Sequence, residues 1–196
     1  MSTGFDVLDR AHAALRTTAA SLVPADLTRP TPCEKWDVAQ VLQHAAGDQR
    51  AYAFFLTGAD GPTGDPFAPD GNLTVEPLAL VGPALDASAR AYAGVDPDGT
   101  APTPLPQGVL PAQTAAGAAA LDAAVHAWDI AMAAGLGSPL DNELAAMILP
   151  TARALVEPLR QWGAYAAELP AVDDGPAAEL LRYLGRDPFW AAPTAR

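Results

Sequence analysis

Two of the three histidines in this 196-residue chain stand in apolar segments with carboxylates at helical spacing. In LDAAVHAWDIAMAAG, Asp122 and His126 are i and i+4, which places them on one helix face about one turn apart. Asp129 follows three residues after His126, on nearly the same side. The surrounding segment, AQTAAGAAALDAAVHAWDIAMAAG, is apolar round most of its circumference, as buried helices are. An unpaired carboxylate on such a helix costs several kcal/mol or takes up a proton. Asp122 therefore calls for a partner. A divalent cation is one solution and a His–Asp hydrogen bond is the other.

A second segment supplies His44, within the stripe Val41, His44, Ala45, Asp48, Tyr52 and Phe55. Helical bundles build sites from side chains projecting inward from facing helices. His44 with Asp122 and His126 makes a set of three N/O donors, and three protein ligands with open positions mark a catalytic rather than a structural divalent site. Imidazole and carboxylate suit Zn²⁺, Ni²⁺ or Fe²⁺, and the residue types do not choose among them. A histidine on an apolar face is, on residue physics alone, more often a hydrogen-bonded core residue than a ligand, so both readings stand at this point.

Positioning these groups requires helices, and the periodicity predicts little else. Phe5, Leu8, Ala11, His12, Leu15, Ala19 and Leu22 recur at helical spacing, giving a first helix over about 5–22. After LTRPTPCEKW, Asp37 and Gln40 form a capping box that opens a second helix reaching about Leu56, closed by Gly58. A third helix spans about 74–93, where Pro83 implies a late start or a kink. The fourth runs over 112–134 with Gly135 behind it. A fifth, from about Asp141, should be interrupted at Pro150 and Pro158. A short last helix covers 176–184, and the tail from about 186 either packs or frays. Strand signals are nearly absent. Long proline-rich connections among four main helices suit an all-α four-helix bundle with crossovers, in one domain over 1–196.

Composition excludes several classes. A net charge of −12 argues against nucleic-acid and anionic-membrane surfaces, which need clustered Lys and Arg. One cysteine, Cys33, excludes a disulfide framework or a cysteine-rich zinc site. Asp6 and Asp9 stand where a secretory leader would carry positive charge, and the longest apolar stretch is broken by Asp122, His126 and Asp129. A soluble cytoplasmic protein, with no membrane partner, is expected. Pairing of two copies through an apolar face, a homodimer, is compatible with the pattern.

TPCEKWDVAQVLQH resembles the segment T-P-C-x-x-W-[ST]-V-x-[DE]-L-x-x-H of the DinB/YfiT-like metal-binding superfamily. It is most similar to the actinobacterial branch related to the N-terminal domain of mycothiol-dependent maleylpyruvate isomerase. LDAAVHAWDIAMAAG resembles that branch's [DE]-x-x-x-H-x-W-D-[LI]-A-x-A-x-G, and AAELLRYLGRDPFW resembles its L-x-x-L-G-R-x-P tail. The resemblance implies a DinB-like bundle with extra C-terminal helices and a divalent metal held by His44, Asp122 and His126. Aspartate stands at 122 where many relatives carry glutamate. Related proteins include isomerases and S-transferases that use mycothiol or bacillithiol. By resemblance this chain is a metal-dependent thiol transferase or isomerase-like enzyme, taking mycothiol and an electrophilic substrate. The alternative is a non-catalytic metal- or ligand-binding, stress-type bundle.

The remaining candidates have structural readings. Cys33 is expected to be a small packing residue, since thiol chemistry of this kind needs no cysteine of the protein's own. Asp129 could support a metal-bound histidine but more simply fixes helix packing near Trp128. Asp48 reads as a helix-surface or supporting residue, and His12 as a satisfied core histidine. Arg153 and Arg160 could face an anionic thiol or lie on the surface. Phe189 and Trp190 are expected to cap a bundle end.

Overall fold

A computed structural model describes residues 2–59, 61–161, 163–171 and 174–193. Six helices account for most of it: α1 (Asp6–Ala20), α2 (Val38–Thr57), α3 (Pro77–Tyr92), α4 (Ala112–Ala134), α5 (Asn142–Arg160) and α6 (Pro176–Tyr183). The first four close into a ring in which α1 packs on α4 and α3, and α2 packs on the same two. This puts α1 and α2 diagonally across the bundle. The chain crosses one diagonal between α1 and α2 and the other between α3 and α4. The proline-rich connection before α4 is thus a crossover as the sequence implied, whereas the long proline-rich loop after α2 joins two adjacent helices. α5 packs on α4 and α1, and α6 on α5. The all-α, DinB-like architecture is the one expected. No helix among the described residues is long and apolar enough to cross a membrane.

Local chemistry accounts for the ends. Asp37 accepts from the Gln40 backbone N–H at 2.9 Å and Gln40 Oε1 accepts from the Asp37 backbone N–H at 3.1 Å, so the capping box forms as read. Gly58 and Gly135 close α2 and α4 in the left-handed region, at φ 74° and 72°, where glycine escapes the Cβ penalty. α4 is buried nearly all round. Its alanines let neighbouring helices approach closely, and Gly117 is the tightest point. A Cβ there would lie 2.3 Å from Thr151 Oγ1 on α5.

Two features depart from the sequence reading. α5 is not interrupted: it runs through both Pro150 and Pro158. α3 starts at Pro77 and continues through Pro83, so of the two alternatives at that proline the late start is not the one taken. A mid-helix proline frees the carbonyl four residues earlier. Here each proline and its i−4 residue (Ala79 for Pro83, Ala146 for Pro150, Ala154 for Pro158) lie on the exposed face. Water can therefore satisfy the freed carbonyl, and the buried face keeps its ladder. Second, the α3–α4 connection contains a small antiparallel pair, β1 (Thr100–Pro102) with β2 (Val109–Pro111), in register Ala101 opposite Leu110. Strands of three residues are too short to show alternation in a sequence.

Candidate metal centre

Three donors converge in the bundle interior between α2 and α4. Asp122 Oδ1 lies 3.6 Å from His44 Nε2 and 3.5 Å from His126 Nε2, and the three ligating atoms all fall within 4.8 Å of one another. The side chains are only 9–11% exposed. The separations are at or beyond hydrogen-bond range. They match the edge of about 3.3–3.6 Å between donors of a tetrahedral site with bonds of roughly 2.0–2.2 Å. The two rings meet edge to face, centroids 4.8 Å apart.

Both histidines are oriented as ligation needs. His44 Nδ1 lies 2.9 Å from the Pro66 carbonyl oxygen, an acceptor only, so Nδ1 carries a hydrogen and Nε2 is the nitrogen turned to the cluster. His126 Nδ1 lies 3.0 Å from Asp129 Oδ2, with the same consequence. Asp129 is fully buried and takes two further hydrogen bonds from Arg186, from Nε to Oδ1 and from Nη2 to Oδ2, each 2.8 Å. Asp129 therefore supports His126 directly, which corrects the expectation of a packing role near Trp128.

Pro66 reaches His44 because the loop after α2 is fastened down. Gln40 Nε2 donates to the Pro69 carbonyl at 3.0 Å, Gln43 Nε2 to Asp70 Oδ1 at 2.8 Å, and the Gly71 N–H to Gln43 Oε1 at 2.8 Å. Gly47 leaves the room: a Cβ there would lie 3.0 Å from Pro66 Cβ and Cγ. Trp36 and Phe67 flank the His44 ring at 4.7 and 5.8 Å.

Behind the carboxylate, a residue that sequence reading passed over completes the set. Gln49, fully buried on α2, donates from Nε2 to Asp122 Oδ2 at 3.3 Å and to the Ala119 carbonyl at 3.0 Å. Its Oε1 lies 2.9 Å from His12 Nε2. His12 is thus the satisfied core histidine expected, one link away from the cluster. Gln49 lies five residues after His44, and nothing in its neighbours' types marks it as special.

The electrostatics follow from this packing. Burial opposes the Asp122 charge, but His44, His126 and the Gln49 amide outweigh it and hold the carboxyl below its usual range. Burial likewise opposes protonation of His44, yet Asp122 and Asp48 raise it to about 9. Asp48 Oδ2 sits 3.7 Å from His44 Nε2, and burial, with the neighbouring Asp122 charge, pushes its carboxyl up to about 7. A cation bound by the three donors would replace the proton on His44 as the compensating charge.

Other candidates lie elsewhere. Arg153 pairs with Glu179 on the surface, and Arg160 with Glu157 and the Ala166 and Tyr183 carbonyls. Neither faces the cluster. Cys33 is half-buried against the core, and burial pushes its thiol up to about 11, which suits packing and not nucleophilic attack. Trp190 packs on the core, but Phe189 is exposed under the Arg182 guanidinium, so only one of the two aromatics covers a bundle end.

An all-α bundle with a buried His–Asp–His cluster across two of its facing helices defines a class of bundle protein with a potential metal centre. The chain belongs to the mycothiol maleylpyruvate isomerase N-terminal domain family, which it matches over residues 8–131. It is also similar to two uncharacterised proteins of Mycobacterium tuberculosis, one from each of two strains. Each is 33% identical over 180 residues, covering 90% of this chain and 94% of the relative. No solved structure matches it significantly.

Proposed function

We propose that His44, Asp122 and His126 bind a divalent cation, Zn²⁺ first among the candidates, and that the protein is a metal-dependent thiol S-transferase or isomerase-like enzyme using mycothiol. One observation carries the reading: Asp122 Oδ1 lies 3.5–3.6 Å from both histidine Nε2 atoms, all three donors fall within 4.8 Å, and the far nitrogen of each histidine is already committed to an acceptor. A cation held there supplies Lewis acidity, which lowers the pKa of a thiol bound beside it. The family match to a mycothiol-named domain supports mycothiol as that thiol.

The protein's own groups then have defined tasks. Pro66 and Asp129 orient the two imidazoles. Gln49 occupies Asp122 Oδ2 and leaves Oδ1 for the site. Trp36 and Phe67 provide apolar walls beside His44, where an electrophile's carbon skeleton would rest. Asp48 Oδ2, beside His44 Nε2 and 20% exposed, is the carboxylate placed to receive the thiol proton.

The test is elemental analysis of protein purified without chelator, followed by Zn²⁺ uptake. One tightly bound equivalent, lost in His44→Ala and His126→Ala, is expected. Zn²⁺ uptake that is unaffected by both substitutions sinks the site. Consumption of mycothiol with monochlorobimane then reads the activity. A metal-loaded protein with no rate above background, over several thiols and electrophiles, reduces the reading to metal binding alone.

A further inference from the structure

We infer that Arg186, in the segment after α6, is a positioning residue of the candidate metal centre: through Asp129 it fixes the orientation and tautomer of His126. What the clamp serves rests on the metal reading above; the clamp itself stands on geometry.

Arg186 and Asp129 form an ion pair with side chains 10% and 0% exposed. Burying such a pair strips both ions of water, and apolar replacements of similar shape are often as stable or more so. Simple stabilisation is therefore a poor account of this one. What it does supply is a fixed anion. Both oxygens of Asp129 are taken by the planar guanidinium, through Nε and Nη2, a fork that an ammonium cannot reproduce. Oδ2 is shared with His126 Nδ1 at 3.0 Å. The carboxylate cannot turn about its bond without losing Arg186, so the direction of its bond to His126 is set. Nε2 of the same ring is thereby directed at Asp122 Oδ1.

The two histidines are treated differently. His44 donates to a neutral carbonyl of a nearby loop. His126 donates to a full negative charge, which raises the donor strength of the opposite nitrogen and is a recurrent support for metal-bound imidazole. The arginine that holds this charge comes from outside the family-matched segment, residues 8–131. Its place is set by a turn after α6. Gly185 lies in the left-handed region at φ 78°, where a Cβ would come 2.7 Å from Ala166 Cβ. The Arg186 N–H returns to the Leu181 carbonyl at 2.8 Å. The C-terminal turn is thus part of the site's construction.

The test uses the full chain with ¹⁵N-labelled histidine, comparing wild type with Arg186→Lys, Arg186→Met and Asp129→Ala. Circular dichroism confirms folding. His126 in the wild type should appear as a single Nδ1–H tautomer, and as a mixture of tautomers in Arg186→Met and Asp129→Ala. Zn²⁺ affinity, by chelator competition, should fall about 10- to 100-fold in both, and Arg186→Lys should not restore it. A folded Arg186→Lys or Arg186→Met with the wild-type tautomer and unchanged affinity overturns the inference. If Arg186→Met does not fold, Arg186→Lys decides. A wild type that takes up no Zn²⁺ removes the metal reading, and the tautomer measurement still decides the clamp.

Discussion

Gln49 holds one oxygen of Asp122 and leaves the other to the histidines. Its Nε2 donates to Oδ2 at 3.3 Å, while Oδ1 lies 3.6 and 3.5 Å from His44 and His126. The amide cannot flip without setting its oxygen against the Ala119 carbonyl and Asp122 Oδ2, both acceptors. Gln49→Leu leaves Asp122 Oδ2 and His12 Nε2 without this partner in a buried setting. It should lower unfolding free energy by about 1–3 kcal/mol in urea titrations. A loss no larger than that of an exposed control substitution would show that the amide does not hold the carboxylate.

Metal uptake should depend on pH through His44. Its pKa is raised from 6.5 to about 9 by Asp122 and Asp48 against the cost of burial, so at pH 7 a proton occupies the nitrogen that a cation needs. Each cation bound should then displace about one proton. Apparent Zn²⁺ affinity should rise roughly tenfold per pH unit from 7 towards 9. Isothermal titration in buffers of different ionisation enthalpy reads the proton count, and zero protons released at pH 7 contradicts the assignment. In chelator-treated protein the same shift acts on stability. The contribution is complete below 6.5 and is lost as pH rises through about 9. Denaturation midpoints should fall over that window in the wild type and stay flatter in His44→Ala.

Asp129 works at the other end of the scale. Burial opposes its charge, but Arg186 and His126 prevail and bring its pKa from 3.8 to about 2. This stabilises the fold above pH 3.8, and the gain disappears as pH falls through about 2. The shift corresponds to about 2 kcal/mol. Asp129→Asn should be less stable near neutrality, with a shallower acid limb in stability measured against pH. An acid limb identical to the wild type would count against the ion pair.

Gly117 tests the packing behind the site. A Cβ there would meet Thr151 Oγ1 at 2.3 Å and Thr151 Cβ at 3.1 Å, and a β-branched side chain has little freedom to withdraw. Gly117→Ala should destabilise by about 1–3 kcal/mol. Adding Thr151→Ala, which removes the clashing atoms, should recover most of it. Additive effects in the double mutant would show that the helices part elsewhere.

Much of this molecule is legible along the chain, because the relevant signals are local. Helix periodicity, the Asp37–Gln40 capping box and the glycine ends act within a few residues of one another. So does the i, i+4 pair Asp122–His126, whose common face follows from 3.6 residues per turn. Even the demand that Asp122 have a partner comes from the apolar residues beside it. Solvent exposure of a proline's own carbonyl partner is not local in this sense, and it decided that α3 and α5 run through their prolines.

The partners across the fold belong to the tertiary structure alone. Gln49 reaches Asp122 because α2 and α4 are neighbours in the ring, and it reaches His12 because α1 faces it across the diagonal. Pro66 comes to His44 only because Gln40, Gln43 and Gly47 let the loop settle there. Arg186 meets Asp129 over 57 positions of sequence, and no spacing rule spans that distance. Hydrogen-bond direction and desolvation are set by which surfaces meet. The ligand types could therefore be read from the residues, whereas their tautomers, orientation and charge were decided only when the helices packed.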